Sequence, residues 1–381
     1  MRNRKFWAAL VAMALCLTMM APVALADTIK IGGLAPLTGS LAAYGNGVKD
    51  GVDLYIEQLN AAGGINGNLV EILWEDEQGD VTQAINAFNK LVEQDNVVAI
   101  IGDVTSTPTL AIGELAKDIG IPMITASATA YDVTTDKPNY FRSCFLDPFQ
   151  AQVMANYAQS EFAAAKVAVF YDVTDDYNTG LAEAFRVRAE ELGIEVVAYE
   201  GSAGTDVDFK AQLTSMAAKQ PDVLYLPFYY EAAALIIRQA QEVGLNVPVL
   251  GADGFDGLKS VLDDNALLVN VVYTNHYSAE EDRQQVRDFL EGFETKYGAE
   301  PWISFNATGY DAALILCEAI AQASAPDAYE EVCAAIKTGS FDCVTGTIIF
   351  DDHNDPIKSA FIIGFKEDGS RFLRSKIEPS L

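Results

Sequence analysis

Histidine is almost absent from this chain: His276 and His353 are the only two among 381 residues. Two imidazoles so far apart in sequence exclude the usual zinc and non-haem iron constellations, so no metal site is expected. Basic residues are scarce too, 25 Lys and Arg against 54 Asp and Glu, for a formal net charge of −29. A surface that acidic repels a phosphate backbone, and no Lys/Arg cluster overrides the average, which excludes nucleic acid as a partner. There is no C-x-x-C, and hence no thioredoxin-like redox centre. There is also no G-x-S-x-G, P-loop, H-E-x-x-H or Gly-rich dinucleotide fingerprint. Both histidines fall in polar, surface-like loops, so neither is expected to activate a serine. Together these absences argue against an enzyme and against any bound cofactor.

Long apolar runs are confined to the N-terminus. Arg2, Arg4 and Lys5 form a positive region, Phe6 to Met20 is almost unbroken apolar sequence, and Ala24-Leu25-Ala26 is a small-residue cleavage site before Asp27. This is the pattern of a secretory signal peptide over residues 1–26 rather than of a membrane anchor. Leu15 is bulky where a lipobox needs a small residue before Cys16, which argues against lipidation. Cleavage removes three positive charges and takes the formal net charge from −29 to −32. A soluble, monomeric protein, periplasmic or otherwise extracytoplasmic, is expected. Export permits disulfides, and of Cys144, Cys317, Cys333 and Cys343 the pair Cys333–Cys343 is the expected bridge, flanking a helix end and a turn.

What remains is half hydrophobic and long enough for two cores. Strand and helix signals alternate from Thr28 to Thr125, with strands at 28–31, 69–74, 97–101 and 122–125 and helices at 48–59, 82–93 and 108–117. After Asp147-Pro148 the alternation restarts, with strands at 166–171, 195–199, 222–227, 248–251 and 268–273 between helices at 179–192, 208–219 and 231–243. Alternation of this kind implies parallel sheets covered by helices. Late helices at 280–297 and 306–323 must cover the first block, so the chain crosses between lobes more than once. The expected division is residues 27–146 plus 275–350 in one lobe and 147–274 plus 351–381 in the other.

In open α/β sheets, ligands lie beyond the carboxyl ends of strands. The loops there are Gly102 to Thr107 and Thr125 to Thr129 in the first block, both rich in hydroxyls and one opening a helix, a suitable receptor for a carboxylate. The second block offers Asp175-Asp176-Tyr177, Tyr229-Tyr230-Glu231 and Ala252-Asp253-Gly254: an acid suited to an ammonium group, with aromatic walls. Facing each other, the two sets would form a zwitterion trap. The Asp351–Asp355 run lacks the Gly and Glu of a calcium loop and reads as a solvated turn.

Four stretches carry a recognisable pattern: Ile31-Gly32-Gly33-Leu34-Ala35-Pro36-Leu37-Thr38-Gly39, Ala61-Ala62-Gly63-Gly64-Ile65-Asn66-Gly67, Ile101-Gly102 with Ser106, and Ser127-Ala128-Thr129. Arg238-Gln239-Ala240 with Val243-Gly244-Leu245, and Tyr310-Asp311-Ala312, extend it over essentially the whole mature chain. In these stretches the sequence resembles the type I periplasmic binding proteins that deliver branched-chain amino acids (the leucine/isoleucine/valine-binding family) to ABC transporters. The resemblance implies two Rossmann-like lobes joined by three crossovers, closing on ligand as a hinge, and a membrane permease as partner. It also implies a carboxylate site at Ser106 and Thr129 with backbone from Ser127. The implied ammonium site is Asp253, helped by the Ala128 or Ser127 carbonyl and the Thr129 hydroxyl. Tyr177 would close over the ligand, with Tyr229 or Tyr230 and Tyr44 as walls and Val104 and Phe305 in the side-chain pocket. Where some members carry Glu this chain has the shorter Asp253, and Gln78 and Thr105 stand where some have a loop disulfide. The implied ligand is an apolar L-amino acid. Amides, urea or aromatic acids, or a sensory role, are the alternatives within the same fold.

Overall fold

The computed structural model describes residues 28–379, so the leader expected over residues 1–26 lies outside it. The chain opens with β1 (Ile29–Ala35), α1 (Ala42–Ala61), β2 (Val70–Asp76) and α2 (Val81–Asn89), the last extended by a π-helical turn over Lys90–Gln94. Then come β3 (Ala99–Ile101), α3 (Ser106–Ile119), β4 (Met123–Thr125) and β5 (Tyr140–Arg142). The five strands form a parallel sheet in the order β2-β1-β3-β4-β5.

The chain then enters the second lobe with α4 (Asp147–Phe162), β6 (Lys166–Asp172), α5 (Asp176–Glu191) and β7 (Glu195–Ser202). It continues through α6 (Lys210–Ala218), β8 (Val223–Tyr225), α7 (Tyr230–Glu242) and β9 (Val249–Gly251). Two single turns, α8 (Leu258–Val261) and α9 (Asn265–Leu268), precede β10 (Val271–Asn275). A return passage then brings α10 (Gln284–Tyr297), α11 (Phe305–Gln322), α12 (Tyr329–Thr338) and the hairpin β11 (Ser340–Cys343) and β12 (Gly346–Ile349). A third passage leads to β13 (Ala360–Phe365) and β14 (Arg371–Ile377), which extend the second sheet antiparallel to the order β14-β13-β10-β9-β8-β6-β7. The fold is thus α/β with two lobes, as the alternation of signals implied, and with three connecting passages, as the family resemblance implied.

The late helices cover the first sheet's helical layer, with α11 lying against α1. Their contact is close because glycines face it: a Cβ on Gly51 would collide with the Asn306 carbonyl, and one on Gly309 with the Val48 carbonyl. Asn306 Nδ2 donates to the Gly47 carbonyl at 3.0 Å across the same seam. Gly51→Ala is therefore expected to force the helices apart and cost about 1–3 kcal/mol, lowering the urea midpoint with the m-value unchanged. A wild-type midpoint would disprove the close-contact account.

Several elements depart from the sequence expectations. The helix α4 has no periodic signature, because its buried residues (Gln150, Ala151, Val153, Met154, Ala155, Tyr157) spread around much of its circumference rather than along one stripe. The strand expected at 268–273 runs instead from Val271 to Asn275, the residues before it closing the single turn α9. The expected Cys333–Cys343 bridge is not formed: all four described cysteines are free. Cys333 is half-buried on α12, whereas Cys343 is the buried last residue of β11. The Asp351–Asp355 run is also less solvated than expected, since Asn354 and Asp355 are buried.

Candidate functional site

Both sheets reverse strand order once, between β1 and β3 and between β6 and β8. Such reversals open crevices at the carboxyl ends of the strands. The two crevices face each other and close on a narrow slot lined by Tyr44, Val104, Thr105, Ser106 and Ser127 from the first lobe. Tyr177, Tyr229, Asp253 and Gly254 of the second lobe complete it, with Phe305 at the start of α11. Its walls are almost wholly buried, with Tyr44, Ser106, Val104, Tyr177 and Asp253 at 1 or 2% exposure. A solute can enter only when the lobes part.

The first-lobe wall is built by hydroxyls holding backbone. Ser106 is the first residue of α3, so free N–H groups and the positive helix end lie beside it. Its Oγ accepts from Ala130 N at 3.2 Å, which ties the two loops together. Ser127 Oγ donates to the Val104 carbonyl at 2.7 Å, and Thr125 Oγ1 accepts from Ala128 N at 3.0 Å. Thr129 lies behind this wall, its hydroxyl buried without a partner. The Ala128 carbonyl faces away from the slot, accepting from Arg142 Nη1 at 3.2 Å. Arg142 is fully buried and also donates to the carbonyls of Ala130 and Tyr131 and to Thr134 Oγ1. Its charge is met by Asp355, Nε to Oδ1 2.8 Å, which joins the loop to the third passage. Two buried acids, Glu77 and Asp103, adjoin this wall, Asp103 accepting from Val104 N. Burial pushes Glu77 up to about 7 and Asp103 well above the carboxylate range, each raised further by a neighbouring acid.

On the second-lobe side, Asp253 opens a 3₁₀ turn after β9. Its Oδ1 accepts from Tyr177 Oη at 2.8 Å and from Gln150 Nε2 at 2.9 Å. Its Oδ2 lies 2.9 Å from His276 Nε2. Gln150 is itself fixed: Nε2 also donates to Asp147 Oδ1, and Oε1 accepts from Asp253 N and Thr274 Oγ1. Burial raises Asp147 well above the usual carboxylate range, and the Asp253 charge raises it further. Tyr177 and Tyr229 stack at 4.9 Å between ring centres, giving the slot a flat aromatic wall.

Tyr44 connects the two sides. Its hydroxyl donates to the Gly254 carbonyl and accepts from Tyr230 N at 3.1 Å. Its ring meets Tyr229, Tyr230 and Phe305 edge-on. At the slot mouth Thr107 Oγ1 lies within 3.0 Å of Asp175 and Asp176 carboxylate oxygens and accepts from Asp176 N at 3.1 Å.

Of the sequence-derived site residues, Ser106, Ser127, Tyr177, Tyr229, Asp253, Tyr44, Val104 and Phe305 therefore share one slot, while Ala128, Thr129 and Tyr230 stand behind its walls. The sequence reading missed Gln150, Asp147 and His276. It placed His276 in a surface-like loop, but the side chain is fully buried against Asp253 and Phe145. The signal was present: His276 directly follows β10, and a strand boundary two residues later would have put it among the strand-end groups. His353 is exposed, as expected.

The family described as periplasmic binding protein matches residues 28–370. A Brucella melitensis protein called Leu/Ile/Val-binding protein homolog 3 is 30% identical over 351 residues, covering 92% of this chain and 94% of its own. Among solved structures, a leucine-binding protein of Thermotoga maritima superimposes with TM-score 0.87 at 34% identity, covering 92% of this chain and 99% of its own. The branched-chain amino acid transporter substrate-binding protein of Streptococcus pneumoniae, in complex with isoleucine, does so with TM-score 0.85 at 31% identity, covering 92% and 99%.

Proposed function

The chain belongs to the periplasmic binding protein family, and on that premise we propose that it is the extracytoplasmic solute-binding component of an ABC importer. It captures an apolar L-amino acid of the branched-chain class between its lobes and presents the closed form to a membrane permease. The relatives named for leucine, isoleucine and valine support the ligand class. The observation that carries the amino-acid reading is Asp253, a buried carboxylate facing the Ser106 and Ser127 wall across a slot flanked by aromatic rings. A ligand ammonium would meet Asp253, the carboxylate would meet Ser106 with the α3 N-terminus, and an apolar side chain would lie along Val104, Tyr229 and Phe305. Thr129 is a reserve hydroxyl close behind the first wall.

Function on this reading is capture without chemistry. In the open form the loops of the first lobe receive the ligand. Closure then brings Tyr177, Tyr229 and Asp253 over it and excludes water, which strengthens each charge-assisted hydrogen bond. Tyr44 and Thr107 supply interlobe hydrogen bonds in the closed form only, biasing the hinge once ligand is in place. The lobes divide at 146/147, just past His276, and at 350/351, residues 1–26 are removed on export, and the mature protein works as a monomer; the break expected at 274/275 moves past His276 because β10 runs to Asn275 and pairs with β9 and β13 of the second sheet. Among the described residues no helix is long and apolar enough to cross a membrane.

Thermal unfolding of ligand-stripped protein tests this reading directly. Saturating ligand at 1,000 times its Kd adds about 4 kcal/mol to the folded state. Leucine, isoleucine or valine should raise the Tm by several degrees. A shift with acetamide, urea or benzoate and none with any amino acid would reject the amino-acid reading.

A further inference from the structure

The immediate partner of the ligand-facing acid is the buried histidine beside it. Asp253 Oδ1 already accepts two hydrogen bonds, from Tyr177 and Gln150, and Oδ2 accepts one from His276 Nε2. A carboxylate oxygen offers two lone pairs, so the one accepting direction left lies on Oδ2, next to the imidazole. A ligand ammonium on Asp253 therefore lands beside His276. With Nε2–H donating to Asp253, Nδ1 is the unprotonated nitrogen, and it is buried without a partner. A second proton there would be an unsatisfied donor and would set a cation against the ammonium.

We propose that His276 is a positioning residue for the ligand ammonium and that a proton on it competes with the ligand, so that capture weakens as the medium acidifies. This rests on the amino-acid reading given above. His276 and Asp253 sit on neighbouring second-sheet strand ends, so their contact survives lobe opening. Phe305, whose ring centre lies 5.9 Å from that of His276, comes from the first lobe's helical layer and withdraws when the lobes part. Opening thus wets the imidazole and lets it take a proton, and closure expels that proton.

The surroundings agree. Burial holds His276 below its ordinary value, Asp253 and the more distant Asp256 act against that shift, and the Lys358 charge adds to it. Across the ring stands Phe145, at 3.8 Å between ring centres, and α4 contributes Asp147 and Gln150 through the Asp253 network. The sign follows. A bound ammonium lowers the affinity of His276 for protons, so by linkage a proton lowers the affinity for ligand. The loss sets in below the proton affinity of the open form and approaches about tenfold per pH unit.

The test is titration calorimetry with L-leucine, L-isoleucine and L-valine between pH 4.5 and 8, in buffers of differing ionisation heat, on wild type and His276→Gln. For wild type we expect a Kd at pH 5.0 at least about threefold above that at pH 7.5, with proton release on the acid side. For His276→Gln, which keeps a donor to Asp253 but cannot titrate, we expect a flat profile whatever its affinity at neutral pH. A contribution from Glu77 or Asp147 would persist in the variant, so parallel profiles overturn the proposal. A wild-type protein that binds with no proton release and no pH dependence also overturns it and leaves the amino-acid reading standing. A wild type that binds no amino acid at any pH overturns both. Should His276→Gln not fold, the imidazole ring-proton NMR titration of wild type with and without ligand decides, because it reads the histidines and not the carboxyls: a buried histidine whose titration ligand leaves unmoved overturns the proposal.

Discussion

Asp253→Ala is expected to weaken amino-acid binding by at least about 2 kcal/mol, roughly thirtyfold in Kd, measured by calorimetry at pH 7.5. The substitution withdraws the buried carboxylate that the bound ammonium would meet. It also leaves the Tyr177 hydroxyl, the Gln150 amide and His276 Nε2 without their acceptor. Part of the loss could therefore come from a loosened second-lobe wall rather than from the missing charge. Asp253→Asn separates the two, because it keeps an acceptor oxygen and nearly the same shape while removing the negative charge. If charge is what captures the ligand, Asn loses nearly as much affinity as Ala, while its folding stability falls less. Affinity unchanged in both variants would remove Asp253 from the site.

The other large effect is expected at Arg142, which contacts no ligand. Its guanidinium, fully buried, holds three carbonyls and one hydroxyl of the 128–134 loop and pairs with the buried Asp355. Arg142→Met leaves the Asp355 carboxylate without its counter-ion in the interior, which costs about 3–5 kcal/mol. Urea denaturation should show that loss at pH 7. The sign with pH is also fixed. Burial already raises Asp355 above its ordinary value, and Arg142 is the main charge pulling it back down. Without the arginine the folded state holds the carboxyl proton more tightly than the unfolded state. Stability of the variant then falls as pH rises through the raised value and partly returns on acidification. Pairing Arg142→Met with Asp355→Asn should restore part of the loss, since no buried charge remains. A cost under about 1 kcal/mol would show that the ion pair does not hold the loop.

Much of the architecture was legible because local periodicity and burial agreed. On α7, Ala233, Ile236, Ile237 and Ala240 recur at helical spacing and all face the core, so pattern and structure coincide. The strand β3 is a short apolar run flanked by a polar loop, as a strand covered on both faces should be. Where the two disagreed the reading failed. Buried around much of its circumference, α4 shows no stripe, and β14 is an edge strand whose half-exposed residues carry little signal.

The site divides in the same way. Loops at strand ends are positioned by topology alone, so Ser106, Ser127, Tyr177, Tyr229 and Asp253 could be named once the strands were placed and the family resemblance had been seen. Orientation within a loop could not. Tyr230 starts α7 one residue after Tyr229, and that single step turns its ring out of the slot and its backbone N–H onto Tyr44. Thr129 and Ser127 are separated in the same way by the curl of one loop.

An acidic α/β protein of two lobes was legible in the chain alone, because charge and periodicity are properties of contiguous residues. Which groups surround Asp253 became visible only in the packed chain. Gln150 and His276 lie 103 and 23 residues from it along the chain, yet both bond its carboxylate. Nothing local marks Gln150, and only the strand end that His276 follows marks His276; their roles arise when α4 and β10 pack beside β9 and bury three polar side chains that must then satisfy one another.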